Sequence, residues 1–235
     1  MERATSSGAG KATAGTGPAA GSGPPAAPQA RTYCVGITGH RPKGLAHADL
    51  PVLCNRIRNC LQLVRELLTR RLGVRPAMAF VSPLSEGADR YGAEQALALG
   101  YFLITPLPFA RDEFSNDFTA PGSRGEFQRL LASASEVLEL PGTRDAETAA
   151  YMAAGRAVLD RSDVLLTVWD GAEARGDGGT GQITLEAIHR HIPTIWIHSQ
   201  APHKVCLLVE DPRHGGVREE RLSRLSYRLR RLSSA

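Results

Sequence analysis

The sequence predicts an α/β protein with a doubly wound, mostly parallel sheet of about six to seven strands and helices on both faces. Two observations carry this prediction. Short apolar runs alternate with longer helical segments from residue 33 to residue 210. The short runs are also apolar on both faces, which is typical of parallel strands that helices cover from both sides.

The strands and helices follow one another in a regular series. Apolar runs predict strands at 33–38, 77–82, 101–108, 136–140, 163–169, 194–199 and 205–210. Apolar residues three or four apart predict helices at 49–72, 87–100, 146–160 and about 182–191. Gly73 and Gly100 are placed to end the first two helices. The repeated strand–helix–strand order is that of a Rossmann-like fold.

The two ends of the chain differ from this central region. Residues 1–31 are nearly all Ala, Gly, Ser, Thr and Pro, which cannot bury enough apolar surface to offset ordering, so we expect a disordered tail. Residues 32–210 form the predicted Rossmann-like domain. Residues 211–235 are basic and space leucines along one side of a predicted C-terminal helix. That helix docks on the core, contacts a second copy of the chain or binds a polyanion.

Composition excludes several classes of protein. No apolar run reaches the roughly 18 residues that a membrane helix needs, and the tail has no apolar segment of a secretory signal. The four cysteines form no CxxC pair and do not combine with histidines at zinc-ligand spacing. We therefore expect reduced thiols, a cytoplasmic location, no metal, no cofactor and no membrane partner.

The loops after the strands are the expected ligand site, because ligands of open parallel sheets lie beyond the carboxyl ends of the strands. Four such loops carry glycines and charged side chains, at 39–44, 82–90, 108–113 and 170–180. Their glycines allow a close approach of backbone to ligand. The Gly-rich segment at 176–181 runs into a helix, an arrangement that suits a phosphate group.

Two common nucleotide motifs are absent from the sequence. Gly36 and Gly39 resemble the start of a dinucleotide fingerprint, but Pro42 occupies the position of the third glycine. The phosphate-loop pattern GxxxxGK[ST] does not occur either. His40 and Arg41 then either contact a ligand or belong to a polar loop. Glu86 and Asp89 either bind ribose hydroxyls or complement a helix dipole.

Together these loops resemble the SLOG superfamily. The residues that carry the resemblance are GITGHRP at 36–42, SPLSEGADR at 82–90, and SDVLLTVWDG at 162–171 followed by GGT at 178–180. This superfamily of Rossmann-like domains includes lonely-guy phosphoribohydrolases, DNA-processing protein A and bacterial nucleotide-sensing domains. The resemblance covers roughly residues 32–200 and implies a nucleotide-type ligand.

One part of the superfamily pattern is missing. The phosphoribohydrolases carry GGxGTxxE, whose glutamate assists N-glycosidic cleavage. If Gly178 and Gly179 are the leading glycines, Leu185 occupies the glutamate position and Glu186 lies one residue late; if Gly179 and Thr180 are the GT pair, Ile183 occupies that position. One residue of slip on a helix turns a side chain by about 100°. The resemblance therefore implies phosphate binding more strongly than catalysis.

The sequence thus favours a domain that binds or senses a nucleotide or an ADP-ribose-like signal. The first alternative is a phosphoribohydrolase acting on nucleoside monophosphates through another carboxylate, Glu86, Asp89 or Asp170. A homo-oligomer is left open, and single-stranded DNA binding through the C-terminal arginines ranks last. The residues predicted to bind the ligand are Thr38, Gly39, His40, Arg41, Ser82, Glu86, Gly87, Asp89, Asp170, Gly171, Gly178, Gly179 and Thr180.

Overall fold

A computed structural model of the chain describes residues 31–172 and 179–233, without the side chains of Arg231 and Ser233. Residues 1–30, predicted as a tail, and Gly178, predicted to bind phosphate, lie outside the described residues. Arg31, the last residue of that predicted tail, donates a hydrogen bond of 2.6 Å to Asp163.

The described residues form one sheet of eight strands in the order β4-β3-β2-β1-β5-β6-β7-β8. Strands β1 to β6 are parallel, β7 is antiparallel to β6, and β8 is antiparallel to β7. The predicted mostly parallel α/β fold is confirmed, with one strand more than expected. The strands are β1 (Thr32–Gly39), β2 (Ala77–Val81), β3 (Phe102–Leu107), β4 (Glu136–Glu139), β5 (Val164–Trp169), β6 (Thr194–His198), β7 (Val205–Glu210) and β8 (Val217–Glu220).

Helices pack on both faces of the sheet. Adjacent strand residues point to opposite faces; in β5, Leu165 packs in a cluster with α5 and α6, and Leu166 packs in the larger cluster that includes α1, α2 and α7. The helices in the described part of the chain are α1 (Leu50–Leu72), α2 (Ala88–Ala98), α3 (Arg111–Ser115), α4 (Ser123–Ala132), α5 (Glu147–Asp160), α6 (Thr180–His189) and α7 (Leu225–Leu229).

Local signals fix the ends of the longest helix. Asp49 caps α1 by accepting a hydrogen bond of 3.1 Å from the amide of Val52. Gly73 follows the last turn with φ +70°, and its amide donates to the carbonyl of Thr69. The sequence-based bounds of this helix therefore agree with the structure to within one residue.

Two helices occupy the polar stretch between β3 and β4, where the sequence predicts none. Helices α3 and α4 are held by buried phenylalanines, and the ring centroids of Phe114 and Phe127 lie 5.6 Å apart in an edge-to-face contact. Such aromatic pairs add to the stabilisation from burial. These rings are far apart in sequence, so helical periodicity did not reveal them.

The C-terminal region also differs from the single predicted helix over 211–235. Gly215 and Gly216 adopt positive φ and turn the chain back, so that β8 pairs with β7. In the described residues up to 233, α7 and short 3₁₀ turns follow, and Leu225 and Leu229 of α7 are buried against the core. Strand pairing depends on the tertiary partner β7, which a helical leucine spacing cannot show.

The order in which the strands are added reverses at β1. The chain adds β2, β3 and β4 on one side of β1, then returns to place β5 on its other side. The loops that leave the carboxyl ends of β1 and β5 therefore separate to opposite faces and open a crevice between them, the usual place for a ligand in this class of fold.

Candidate functional site

A cavity of about 910 Å³ lies at the carboxyl ends of β1 and β5. It is enclosed by the loops after β1, β2 and β5, by the start of α6 and by one face of α5. Of the residues that the sequence predicts to bind a ligand, the cavity is lined by Thr38, Gly39, His40, Arg41, Asp89, Asp170, Gly179 and Thr180.

Two glycines fix the backbone of the loop after β1. A Cβ on Gly39 would lie 2.4 Å from the Cβ of Ala88, so only glycine lets β1 approach α2 this closely. Gly87 has φ +90°, and a Cβ there would lie 2.6 Å from the carbonyl oxygen of His40. The amide of Ala88 donates to that carbonyl at 3.1 Å. Gly87 thus serves the packing of the loop instead of lining the cavity.

His40 and Asp170 meet across the two strands of the crevice. Nε2 of His40 lies 3.2 Å from Oδ1 of Asp170. Burial raises the pKa of Asp170, but hydrogen bonds from the amide of Ala172 and from His40 outweigh burial and hold that pKa below the usual range. Asp170 is therefore an ionised carboxylate at neutral pH, already engaged by protein donors.

Arg41 supplies positive charge from the same loop. Its guanidinium lies over the ring of Tyr151, with 5.1 Å between the guanidinium carbon and the ring centroid. The Tyr151 hydroxyl donates a hydrogen bond to Asp117. Lys43 also lines the cavity, so that two cationic side chains border it next to the β1 turn.

Asp89 is the most perturbed acid of the cavity. It is only 5% exposed, and its Oδ1 has no hydrogen-bond partner among the described residues. Burial raises the pKa of Asp89 to about 7, although the charge of Arg41, hydrogen bonds from Ser85 and the charge of Arg90 act in the opposite direction. A carboxyl group in this state can accept a hydrogen bond from a ligand or carry a proton.

Glu86 belongs to a second cluster, here called the Arg90 network, which consists of Arg90, Leu84, Glu86, Ser123 and Glu126. Arg90 is 1% exposed and donates to the carbonyl of Leu84 at 3.0 Å and to Glu126 at 2.8 Å. The Ser123 hydroxyl donates to Glu86. Glu86 therefore borders a separate cavity of about 380 Å³ and does not line the larger one.

Ser82 and Gly171 also contribute to structure at this edge of the sheet. Ser82 is fully buried, and its hydroxyl lies 3.2 Å from the carbonyl oxygen of Asp89 and 3.2 Å from the amide of Leu84. Gly171 forms a turn with φ +81° directly after Asp170. Neither residue lines the large cavity.

The start of α6 borders the cavity. Gly179 precedes the helix in extended conformation, and among residues 31–172 and 179–233 no side chain caps it. A Cβ on Gly181 would lie 3.3 Å from the ring of Trp169, so the helix start packs closely on that ring. Uncapped amides at a helix start bind anions readily.

The structure gives no carboxylate at the superfamily's glutamate position. Leu185 is partly exposed and Ile183 is buried against α5. Glu186 instead pairs with Arg156 of α5 at 3.1 Å and with Arg190 of its own helix. The slip of one residue therefore directs Glu186 to a surface ion-pair cluster.

Helix α5 provides cavity residues that the sequence analysis missed. Glu147, Thr148, Tyr151 and Gly155 line the cavity from this helix. A Cβ on Gly155 would lie 2.5 Å from Ile183, so this glycine brings α5 against α6. The small residues Ala153, Ala154 and Gly155 were the available signal, since they permit such an approach.

The basic C-terminal segment is partly neutralised. Arg218 and Arg228 both pair with Glu220, at 2.8 and 2.6 Å. Tyr227 is 57% exposed. The ion pairs reduce the positive charge that this segment offers to a polyanion.

Within residues 31–172 and 179–233, no three His, Cys, Asp or Glu side chains cluster as metal ligands would. No helix in those same ranges has the length and apolar character to cross a membrane.

No protein-family model and no curated protein matches the chain. Solved structures do match it at low identity. TM1055, a structural genomics target, is 16% identical over 73% of this chain and 77% of its own, with a TM-score of 0.41. DNA processing protein A from Streptococcus pneumoniae is 15% identical over 70% of this chain and 50% of its own, with a TM-score of 0.41.

A further match is the single-stranded-DNA-binding DNA processing protein A from Helicobacter pylori. It is 19% identical over 70% of this chain and 64% of its own, with a TM-score of 0.43. This chain thus spans about half to two thirds of the two DNA processing proteins. DNA-processing protein A is one of the groups that the sequence resembles.

Proposed function

We propose that this chain binds a nucleotide or a nucleotide-derived signal of the ADP-ribose type in the cavity at β1 and β5. The observation that carries the proposal is that the start of α6, Arg41 and Lys43 converge on one cavity, at the point where the strand order reverses. A volume of about 910 Å³ is ample for a nucleotide.

The anionic part of the ligand has a defined place in this proposal. A phosphate group at Gly179 and Thr180 would receive amide hydrogen bonds and the favourable end of the α6 dipole. Arg41 would add a charge-assisted, bidentate contact. Gly39 supports the site indirectly, because its missing Cβ lets the β1 turn pack closely against Ala88 of α2.

The aromatic part of the ligand has two candidate surfaces. Trp169 and Tyr151 both line the cavity, at the end of β5 and on α5 respectively. Base-to-aromatic stacking contributes about 1–3 kcal/mol in other nucleotide-binding proteins. Asp170 is already hydrogen-bonded by the protein, so Asp89 is the acid better able to accept a ligand hydrogen bond.

Isothermal titration against AMP, ADP, ADP-ribose and ATP tests the proposal, with adenosine as the ligand that lacks phosphate. We expect phosphorylated ligands to bind more tightly than adenosine. The variant Arg41→Gln should weaken that binding about tenfold to hundredfold, because a charged hydrogen bond contributes about 1.5–3 kcal/mol.

The matched control is Arg58→Gln on the exposed side of α1, where Arg58 bonds only to Gln95 among the contacts described. This variant should bind as the unaltered chain does. A folded protein that binds none of the four nucleotides at millimolar concentration would refute the proposed function.

Phosphoribohydrolase activity is the second candidate, and one observation favours it. Asp89 has a raised pKa and Asp170 a lowered one within the same cavity. Two carboxyl groups with separated pKa values are the usual basis of a general acid and an anionic partner. Asp89 would protonate the leaving base, and Asp170 would stabilise positive charge on the ribose.

Chromatography of nucleoside monophosphates after incubation with the protein tests this candidate. Free base and ribose 5-phosphate are the expected products, and Asp89→Asn or Asp170→Asn should abolish them. Glu86→Gln should leave the rate unchanged, since Glu86 borders the other cavity. If a nucleotide binds but no product forms, the phosphoribohydrolase candidate is refuted and the binding function remains.

A further inference from the structure

We propose that binding of a phosphate group through Arg41 makes Asp89 take up a proton from solution, so that ligand binding is coupled to pH. This inference deepens the proposed function, on which it rests. It concerns how the charge of Arg41 affects the protonation of Asp89 before and after the ligand binds.

Arg41 and Asp89 line the same cavity, and the loop that carries Arg41 packs against the start of the helix that carries Asp89. A Cβ on Gly87 would lie 3.0 Å from the Cα of Arg41, so the loop after β1 rests directly on the residue two before Asp89. The amide of Ala88 binds the carbonyl of His40 and fixes this contact. The backbone of Arg41 is therefore held against the start of α2, on the same cavity as Asp89.

Asp89 depends on that charge more than a surface acid would. Its carboxyl group is buried, and one of its oxygens has no partner among the described residues. A buried carboxylate is costly unless it is compensated. Arg41 is the largest of the influences that favour the ionised form of Asp89.

Other charged groups cannot replace Arg41 in this role. Arg90 lies on the same helix as Asp89, but its guanidinium is directed to Ser123 and Glu126. The remaining groups in the cavity come from three elements. They are His40 and Lys43 after β1, Glu147 and Tyr151 on α5, and Asp170 after β5.

A bound phosphate changes this balance in one direction. Arg41 would then neutralise the phosphate, and the phosphate would bring negative charge towards Asp89. Both effects disfavour the carboxylate, so Asp89 gains a proton from the buffer. Because the complex holds one proton more than the free protein, affinity must fall as pH rises.

Titration calorimetry with AMP between pH 7.5 and 8.5 measures this coupling directly. The phosphate of AMP is a dianion throughout that range, since its second pKa is about 6. We expect net proton uptake on AMP binding at pH 8, measured from the dependence of the heat on the ionisation enthalpy of the buffer. Affinity should fall by up to about tenfold per pH unit.

The variant Asp89→Asn separates this coupling from a structural role. Proton uptake and pH dependence should vanish, and AMP should bind about tenfold more tightly than to the unaltered chain at pH 8.5, a gain that misfolding cannot produce. Glu94 lies on the same helix but pairs with Arg129 on the surface, so Glu94→Gln should keep the proton uptake and the pH dependence of AMP binding.

Three outcomes would overturn the proposal. AMP binding without proton uptake overturns the coupling but leaves the proposed function intact. Failure of AMP to bind overturns the coupling, and the nucleotide panel then shows whether the proposed function fails with it. If Asp89→Asn does not fold, carbon NMR of the Asp89 carboxyl in the unaltered chain decides, and an unchanged titration on saturation with AMP contradicts the proposal.

Discussion

Asp89 and Arg90 are neighbours on α2, yet their side chains belong to two regions of opposite character. Asp89 turns into the large cavity, where one of its oxygens has no partner among the described residues. Arg90 turns about 100° further round the helix into the Arg90 network, where it donates to Leu84, Ser123 and Glu126. The same short loop and helix start therefore serve both regions.

The contrast distinguishes a buried charge that stabilises the fold, that of Arg90, from a buried charge that we propose a ligand affects, that of Asp89. In the Arg90 network, Nε and Nη1 of the buried cation find acceptors on two carbonyls, a hydroxyl and a carboxylate, and Nη2 alone has no partner among the described residues. In the cavity, hydrogen bonds from Ser85 and the charge of Arg41 compensate Asp89 only in part, and its pKa rises to about 7. Perturbed acids in clefts are candidates for function.

The largest test of the contrast removes the Arg90 side chain. Arg90→Ala should lower the free energy of unfolding by about 3–5 kcal/mol, because it empties a buried volume and leaves the Leu84 and Ser123 carbonyls without their donor. Urea denaturation measures the change. Arg129→Ala, which breaks an exposed ion pair with Glu94, should cost no more than about 1 kcal/mol. Equal losses in the two variants would contradict the assignment.

A second test acts on the contact that joins the cavity to the helix start. Gly87→Ala should cost about 2–4 kcal/mol, since a side chain is strained at φ +90° and its Cβ would clash with the His40 carbonyl. Gly122→Ala is the matched control, because its φ is +79° but nothing lies within 4 Å of the added carbon. That variant should lose only about 1–2 kcal/mol. AMP binding should weaken in the first variant alone.

Sequence patterns predicted the regular elements well, because apolar periodicity is a local property. The seven predicted strands all occur, and the bounds of α1 differ by one residue. Three elements were missed for a non-local reason. Helices α3 and α4 depend on aromatic contacts distant in sequence, and β8 depends on pairing with β7.

The site was predictable to the level of its loops but not of each side chain. The loops after β1 and β5 lie where the rule for parallel sheets puts them. Glu86 and Asp89 could not be told apart from sequence, since both flank Gly87 at a helix start. Their separation depends on the contact of Gly87 with His40 and on the distant Ser123, which bonds to Glu86.

A third test uses pH to compare the two acids of the cavity. The pKa of Asp89 is raised to about 7 in the folded chain, against about 3.9 when unfolded. Between these values the folded state holds more protons than the unfolded state, so stability falls as pH rises from about 4 to 7. Asp170, with its lowered pKa, contributes the opposite sign and loses stability towards acid pH.

Urea denaturation at pH 5 and pH 7 separates the Asp89 contribution. From pH 5 to pH 7 the free energy of unfolding of the unaltered chain should fall by about 2 kcal/mol more than that of Asp89→Asn, because the amide cannot titrate. Asp170→Asn should not remove this loss. Parallel pH dependence in the unaltered chain and in Asp89→Asn would show that the Asp89 carboxyl is compensated, and the contrast between the regions would fail.

The smallest expected effect concerns Glu86, which sequence analysis grouped with Asp89. Glu86→Gln keeps a hydrogen-bond acceptor for the Ser123 hydroxyl and removes no acceptor of Arg90, so stability should change by no more than about 1 kcal/mol. Because Glu86 borders the smaller cavity, the affinity for AMP and its pH dependence should stay within about twofold of the unaltered chain. Titration calorimetry beside Asp89→Asn measures both. A loss of AMP binding in Glu86→Gln would place Glu86 in the ligand site and join the two regions that the structure keeps apart.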